Sequence, residues 1–417
     1  EPRYKIQFEA HTEHLHDLLV AFDHQMPIDG TGTAEGQLIR SGDHYRVEDL
    51  RFTASAPELS LKASGTVDAL GGRPEFTLQV TGRSPDLAQL SQAWSWDWPL
   101  PVGIELAVAG SLKAVAGTVF TSNLKLTAFG QEVAGHFFGR LPSMGYAGRP
   151  DWLLVLNYDD LGGLATGLGV PWIYPAPGEF TLRVRPSGTV MKSFHLQTGL
   201  NTKELDIKAT GEVTGFDVQA GFELAYSITS PGAPEGTEWF GVAASRVGSF
   251  QVEGSAKRIA GDGQLVTGSA RLVADRLGSV AVEGDFGLPP QSGSEFHLTI
   301  ESDSIAKMAV LGSVTLSGVG PFRGDAIIRL MPEQILLEEV HLRAGDNDLH
   351  GSITYRLAAD HDGRAEIGGQ LRSSYLNVNE LFPPPERRFL FSAEPLPVRW
   401  ARTHDVEVGF EVGRFLR

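Results

Sequence analysis

The chain has 417 residues, 41% hydrophobic and 21% charged, a balance too apolar for disorder and too polar for a multi-pass helical membrane protein. Its 51 acidic and 35 basic residues give a formal net charge of −16, the wrong sign for a surface that tracks phosphates, so no nucleic-acid partner is expected. The absence of cysteine excludes disulfide staples, thiol catalysis and Cys-ligated zinc.

Glycine is enriched, at 49 residues, without a collagen period. The excess marks tight turns, and many turns in an ordinary apolar composition mean many short strands. No apolar run reaches the length of about 18 residues that a membrane-spanning helix needs. The chain opens at Glu1 without an initiator Met or a signal-like segment and closes at Arg417 inside a patterned stretch. It is therefore expected to be a piece of a longer protein.

Apolar and polar residues alternate along nearly the whole chain. Ile6 and Phe8 open the pattern; Phe76, Leu78 and Val80 repeat it, as do Ile104, Leu106 and Val108, then Leu124 and Leu126. Phe180, Leu182 and Val184 follow, then Leu205 and Ile207, and later Phe296, Leu298 and Ile300. Side chains in a strand alternate faces, so each stretch predicts a half-buried antiparallel strand. Gly71-Gly72, Gly261-Asp262-Gly263, Gly345-Asp346-Asn347 and Asp362-Gly363 supply the turns between them.

Helical pattern is confined to short segments that begin with capping residues: Ser84 to Leu90, Asp159 to Leu164 and Asp303 to Met308, with looser members at His16–Leu18 and Asn379–Leu381. Each follows a strand. Their marker residues Leu18, Leu90, Leu164, Met308 and Leu381 recur at 72 to 74 residues or twice that. The skipped marker falls in the Ser-, Pro- and Gly-rich stretch 230–236. This spacing divides the chain into 1–18, the end of a preceding repeat; units 19–90, 91–164, 165–240 with its degenerate loop, 241–308 and 309–381; and 382–417, the start of a further segment. One unit, read through, offers five strands at about 102–110, 114–121, 122–129, 132–141 and 151–157. The expected fold is all-β, an elongated antiparallel repeating sheet with about five strands per unit and short connecting helices.

Catalytic chemistry is not expected. The chain has no nucleophile elbow and no H-E-x-x-H, and Gly318 to Gly324 does not match a phosphate-binding loop. His11, His14 and His16 read as a solvated strand-to-helix junction rather than a metal site, and Asp346-Asn347-Asp348 as a turn rather than a calcium loop. Glu338 and Glu339 face opposite sides of a strand and form no acid–base pair. No cofactor and no metal are expected. Trp94, Trp96 and Trp98 share one face of an extended segment and read as packing of a connector, ahead of a lipid- or partner-touching patch.

The sheet's apolar face needs a cover: a second sheet, helices or closure. The helices are too few to supply it. With roughly 50 inward apolar side chains at about 40 Å² each, an open face exposes on the order of 2,000 Å², far beyond what a soluble surface tolerates. Such a face calls for an apolar ligand. The candidate lining residues are Phe76, Leu78, Val80, Ile104, Leu106, Val108, Leu124, Leu126, Phe180, Leu182, Val184, Leu205, Ile207, Phe296, Leu298 and Ile300.

The segment Phe391-Ser392-Ala393-Glu394-Pro395-Leu396-Pro397, followed by Val398, Trp400 and the alternation Val406 to Val412, resembles the FS-x-x-PLP segment of the AsmA family. Strands followed by D-L-x-x-L, as at Leu90 and Leu164, and the Leu59-Ser60-Leu61 to Gly65 pattern are similar to that family's repeats. The resemblance implies a repeating β-groove in the periplasm of a Gram-negative bacterium, anchored to the inner membrane by a helix outside this chain. It implies bridge-like phospholipid transport between inner and outer membranes, with acyl chains as ligand and no enzymatic activity. The rival expectations are a closed β array that scaffolds outer-membrane proteins, and a carbohydrate-active β-helix, which lacks the clustered carboxylates it needs.

Overall fold

A computed structural model describes residues 3–15, 30–41, 44–68, 75–86, 88–89, 105–115, 118–128, 131–140, 151–160, 177–187, 193–214, 220–232, 238–239, 242–243, 247–259, 265–287, 293–309, 316–356, 365–382 and 404–416. The chain forms two units, Glu1–Phe222 and Glu223–Arg417. Both are open sheets built almost wholly of strands.

The first unit holds β1 (Arg3–Thr12), β2 (Thr31–Ser41), β3 (His44–Ser55), β4 (Ser60–Asp68), β5 (Glu75–Ser84), β6 (Leu106–Val115), β7 (Thr118–Ala128), β8 (Gln131–Arg140), β9 (Trp152–Tyr158), β10 (Gly178–Pro186), β11 (Phe194–Thr202) and β12 (Asp206–Val213). Each pairs antiparallel with the next in sequence, a pure meander. Among the described residues β1 pairs only with β2, so the sheet has an edge there and does not close.

The second unit begins within β13 (Phe222–Ser230), followed by a two-residue ladder, β14 (Glu238–Trp239) with β15 (Val242–Ala243). The sheet continues through β16 (Phe250–Arg258), β17 (Leu265–Ala274), β18 (Gly278–Gly287), β19 (Ser294–Ser302), β20 (Phe322–Leu330), β21 (Gln334–Ala344), β22 (Asn347–Arg356) and β23 (Ala365–Asn377), each antiparallel to the next. Among the described residues two helices interrupt it, α1 (Ile305–Ala309) after β19 and α2 (Val378–Leu381) after β23. Lys257 pairs with Glu223 at 2.9 Å and the Tyr226 hydroxyl donates to the Ser269 carbonyl at 3.0 Å, which seats β13 beside β16. The last strand, β24 (His404–Leu416), departs from the meander: it pairs parallel with β23.

The repeat has four strands, not the five expected. The described residues of the stretch 102–157 fold as β6, β7, β8 and β9, with β7 running through the break expected at residues 121 and 122. A register shift between Phe120 and Leu124 restores the facing after that point. A bulge inside one strand thus reads in sequence as the end of one strand and the start of another. The same device recurs in the second strands of other repeats. Asp49 in β3 (φ 50°) and Glu339 in β21 (φ 49°) take left-handed conformations where the register shifts. Across from each bulge lies a third-strand glycine, Gly65 (φ 151°) or Gly351 (φ 150°). A Cβ at Gly65 would stand 2.0 Å from the Thr77 carbonyl oxygen, and one at Gly351 2.0 Å from that of Gln370. Only glycine allows both the backbone angle and the approach.

Where strands give way to short helices, the sheet gains its few fully buried groups. Leu15 packs on Ala54 with Phe52, Leu59 and Leu61 around them. Val247, Ala274 and Leu277 form a second cluster against Phe250 and Met308 of α1. The β21–β22 turn at Gly345-Asp346, expected from sequence, seats α2. Asn347 Oδ1 accepts the Asn377 backbone N–H at 2.6 Å, and its Nδ2 donates to Glu380 Oε2 at 3.2 Å. Asp348 Oδ1 accepts the backbone N–H groups of Ser374 (2.9 Å) and Tyr375 (2.8 Å), while Oδ2 lies 2.8 Å from His350 Nε2. Desolvation opposes ionisation of Asp348, but the Tyr375 N–H, the His350 ring and Ser374 together outweigh it and hold the carboxyl at about 2.

Two outcomes follow. Gly351→Ala should cost about 2–4 kcal/mol in urea unfolding of the second unit, since a backbone carbonyl cannot yield as a side chain does. Asp348→Asn should lower the thermal midpoint near pH 6 by an amount worth about 1–2 kcal/mol. The depressed carboxyl stabilises the fold fully above its unfolded value near 4, and that contribution fades as pH falls towards 2. The gap between wild type and variant should therefore shrink to a small remainder by pH 2; an undiminished gap there would refute the assignment.

Candidate functional site: the apolar face

The register puts the apolar side chains of each unit on a single face. Residues paired across antiparallel strands share a face, and the period of two carries the pattern from strand to strand. In the first unit one row runs Phe76, Ala114, Val119 and another Leu78, Leu112. Val108 pairs with Leu126 and Leu126 with Val133. Further along, Leu156 meets Phe180 and Phe180 meets Leu200, while Trp152 meets Val184 and Val184 meets Leu196. In the second unit Leu272 pairs with Val280 and Val280 with Ile300. Val282 pairs with Leu298 and Leu298 with Ala326, and Phe296 pairs with Ile328. The row Ile353, Gly369, Val408 carries the face across the parallel pair to β24.

These side chains are mostly half-buried, not buried. Phe76, Leu78, Val80, Leu106, Val108, Leu126, Phe180, Leu182, Ile207, Phe296, Leu298 and Ile300 all keep part of their surface accessible. Under a second packed layer, such residues would be shut from solvent. Lateral neighbours within the sheet cover their flanks and leave their tips. Aromatic rings lie across glycines on adjacent strands: a Cβ on Gly36 would touch Phe8 at 3.3 Å, one on Gly268 would touch Phe286 at 2.7 Å, and one on Gly178 would fall 2.6 Å from the Tyr158 hydroxyl.

The opposite face is polar. It carries Lys62, Thr77, Gln79, Thr81 and Arg83 on β4 and β5, and Glu283, Glu295, His297, Arg323 and Arg329 on β18 to β20. Ion pairs lace it, such as Arg329 with Glu295 at 2.8 Å and with Glu338 at 2.9 Å; exposed pairs of this kind contribute little to stability. The strongest is Asp151 with Arg183, two hydrogen bonds of 2.8 and 2.5 Å that hold the Asp151 carboxyl at about 2 against desolvation. Apolar residues interrupt the pattern in places: Phe138 and Leu153 pair on the polar face beside Val155, with Phe138 41% exposed, and Leu265 and Val273 of β17 are exposed on the polar face of the second unit.

Of the candidate lining residues, Phe76, Leu78, Val80, Leu106, Val108, Leu124, Leu126, Phe180, Leu182, Val184 and Ile207 sit on the apolar face of the first unit. Phe296, Leu298 and Ile300 sit on that of the second. Leu205 lies in the β11–β12 turn, where its carbonyl accepts the Thr202 N–H at 2.7 Å, and it is buried there. Ile104, His16 and the Trp94, Trp96 and Trp98 segment lie outside the described residues, as do Leu18, Leu90 and Leu164. His11 is on the polar face, and His14 is held by the Thr12 hydroxyl. Among the described residues no three His, Asp or Glu side chains are placed to hold a metal ion, and no helix is long and apolar enough to cross a membrane. Pattern reading missed the partners those residues meet across the sheet, such as Val133, Leu156, Leu200, Val282 and Ile328. Leu154-Val155-Leu156 gave no alternation to find them by.

The chain matches no protein-family model, no curated protein and no solved structure.

A charge on the half-buried face should be tolerated where one in a sealed position is not. Leu298→Asp should lower stability by about 1–2 kcal/mol while the chain still folds. Val266→Asp, at a residue only 1% exposed, should cost at least about 4 kcal/mol and unfold its surroundings. Thermal melts of both variants compare the two; equal losses would mean that the apolar face is a sealed core.

Proposed function

We propose that the apolar faces of this chain hold the acyl chains of phospholipids, and that the protein serves as part of a bridge-like lipid conduit of the AsmA kind in a Gram-negative periplasm. The observation that carries this reading is the set of largely half-exposed Leu, Val, Ile and Phe side chains that the register gathers on one face of each open sheet. Burial of a methylene stabilises by about 0.8 kcal/mol, so an acyl chain of a dozen or more carbons binds such a face without any specific polar contact. Headgroups remain in water at the sheet margins. No residue is catalytic on this reading, because the face offers hydrocarbon contact and nothing that reacts. The closed β array considered as a rival needs every apolar side chain sealed inside, and the half-exposed side chains of the apolar face do not favour it.

Native mass spectrometry of the purified chain, released from a mild detergent or mixed with phosphatidylethanolamine and phosphatidylglycerol vesicles, tests the proposal. Bound phospholipid is the expected result, and Leu106→Asp should reduce its occupancy several-fold without unfolding the protein. A folded chain that never carries lipid under either condition would overturn it.

A further inference from the structure

One position in the repeat is polar although it belongs to the apolar face. It is the final residue of the strand that precedes each crossing segment: Thr12, Ser84 and Tyr158 in the first unit, and Ser230, Ser302 and Asn377 in the second. These six recur every 72 to 75 residues along the chain. Register fixes their side: Ser84 pairs with Leu106, Tyr158 with Gly178, Ser302 with Phe322 and Asn377 with Leu416.

At three of the six the polar atom has local work. The Thr12 hydroxyl donates to the His14 carbonyl at 3.0 Å and that of Ser84 to the Asp86 carbonyl at 3.2 Å, while Ser230 Oγ accepts the Gly232 N–H at 3.3 Å. Each of these closes the turn that leaves the strand. At Tyr158 and Ser302 nothing comparable is formed. Tyr158 is 4% exposed and Ser302 8%, and neither Oη nor Oγ has a hydrogen-bond partner. Asn377 Oδ1 is likewise unpaired. The contrast with Tyr226 is direct: that phenol also lies across a glycine, Gly254, but reaches the Ser269 carbonyl. Burial pushes the Tyr158 phenol up to about 12, so it stays a donor at every physiological pH. A buried hydroxyl without a partner is costly enough that native folds retain few.

We propose that Tyr158 and Ser302 are polar anchor points on the apolar face, donating hydrogen bonds to the ester oxygens of a glycerolipid whose acyl chains lie along the neighbouring strands. The inference rests on the lipid-binding reading and adds where, and by which atom, the lipid is positioned. The lipid supplies the hydrogen bond that the fold leaves unmade at each hydroxyl.

The test uses the full chain with two probes, phosphatidylglycerol with a fluorescent acyl chain and a fluorescent alkane of equal length that carries no oxygen. Tyr158→Phe and Ser302→Ala, together, should leave alkane affinity within about twofold of wild type and weaken phospholipid binding about tenfold or more. The melting temperature should stay level or rise, since each change removes an unpaired buried hydroxyl. Equal weakening of both probes would make the hydroxyls structural and overturn the inference. Unchanged binding of both would overturn it too, while leaving lipid binding itself intact. A wild type that takes the alkane but not the phospholipid would also refute it, and one that takes neither would bring down the lipid-binding reading along with it.

Discussion

Everything in this protein depends on the two-residue period of the strand holding its phase from one strand to the next. A sheet whose strands alternate can still scramble its faces if a single pairing slips by one residue, because such a slip turns the whole strand over. The hairpins prevent that in most pairs, and where a strand carries an extra residue the fold absorbs it locally. The bulges at Asp49 and Glu339 do this, each opposite a glycine that lets the next strand come close. The continuity of the apolar face is therefore a property of the backbone as much as of the hydrophobic residues on it.

That continuity creates an unusual balance of stability. Most globular domains bury their apolar face against a second layer, and their stability comes from the sealed core. Here buried clusters form around Leu15 and around Leu277 near strand ends, while most side chains at the strand centres stay half-covered. The backbone ladder and lateral packing between neighbouring side chains hold the sheet, and the short segments pin its margins. Hydrogen bonds such as those that Asn347 and Asp348 accept from the backbone at the end of β23 matter more in such an architecture than in a molecule with a deep core.

Much of this was legible in the sequence, for identifiable reasons. Phe76-Thr77-Leu78-Gln79-Val80 and Phe296-His297-Leu298-Thr299-Ile300 alternate without exception, and both are strands with the expected facing. The spacing of Met308 and Leu381 marks two helices that close successive four-strand repeats. The number of strands was not legible, because the bulge in β7 mimics a strand boundary. Nor was the parallel pairing of β24, since alternation gives the facing of a strand but not its direction. Leu205 alternates with Ile207 and yet belongs to a turn, where the Thr202 hydroxyl accepts its N–H at 2.8 Å. The polar position at the strand exits escaped notice because Ser, Thr, Tyr and Asn share no pattern until the register places them on one face.

The combination of a long apolar face and sparse polar positions bears on movement as well as binding. Hydrocarbon contact has no preferred register, so it retains a chain without fixing where along the sheet it sits. A hydrogen bond does fix position. Equivalent exits within a unit stand four strands apart, about 19 Å at the usual strand spacing. On the proposed reading, an anchor worth about tenfold in affinity, set against the many methylenes that bind without direction, would bias where a lipid pauses without trapping it. Anchoring at every exit would make each repeat a separate trap. At Thr12, Ser84 and Ser230 the turn consumes the polar atom, which leaves the unpaired hydroxyls at only one exit in each unit. On the proposed lipid-binding reading, a face built this way would retain an acyl chain by area and position it at a few points.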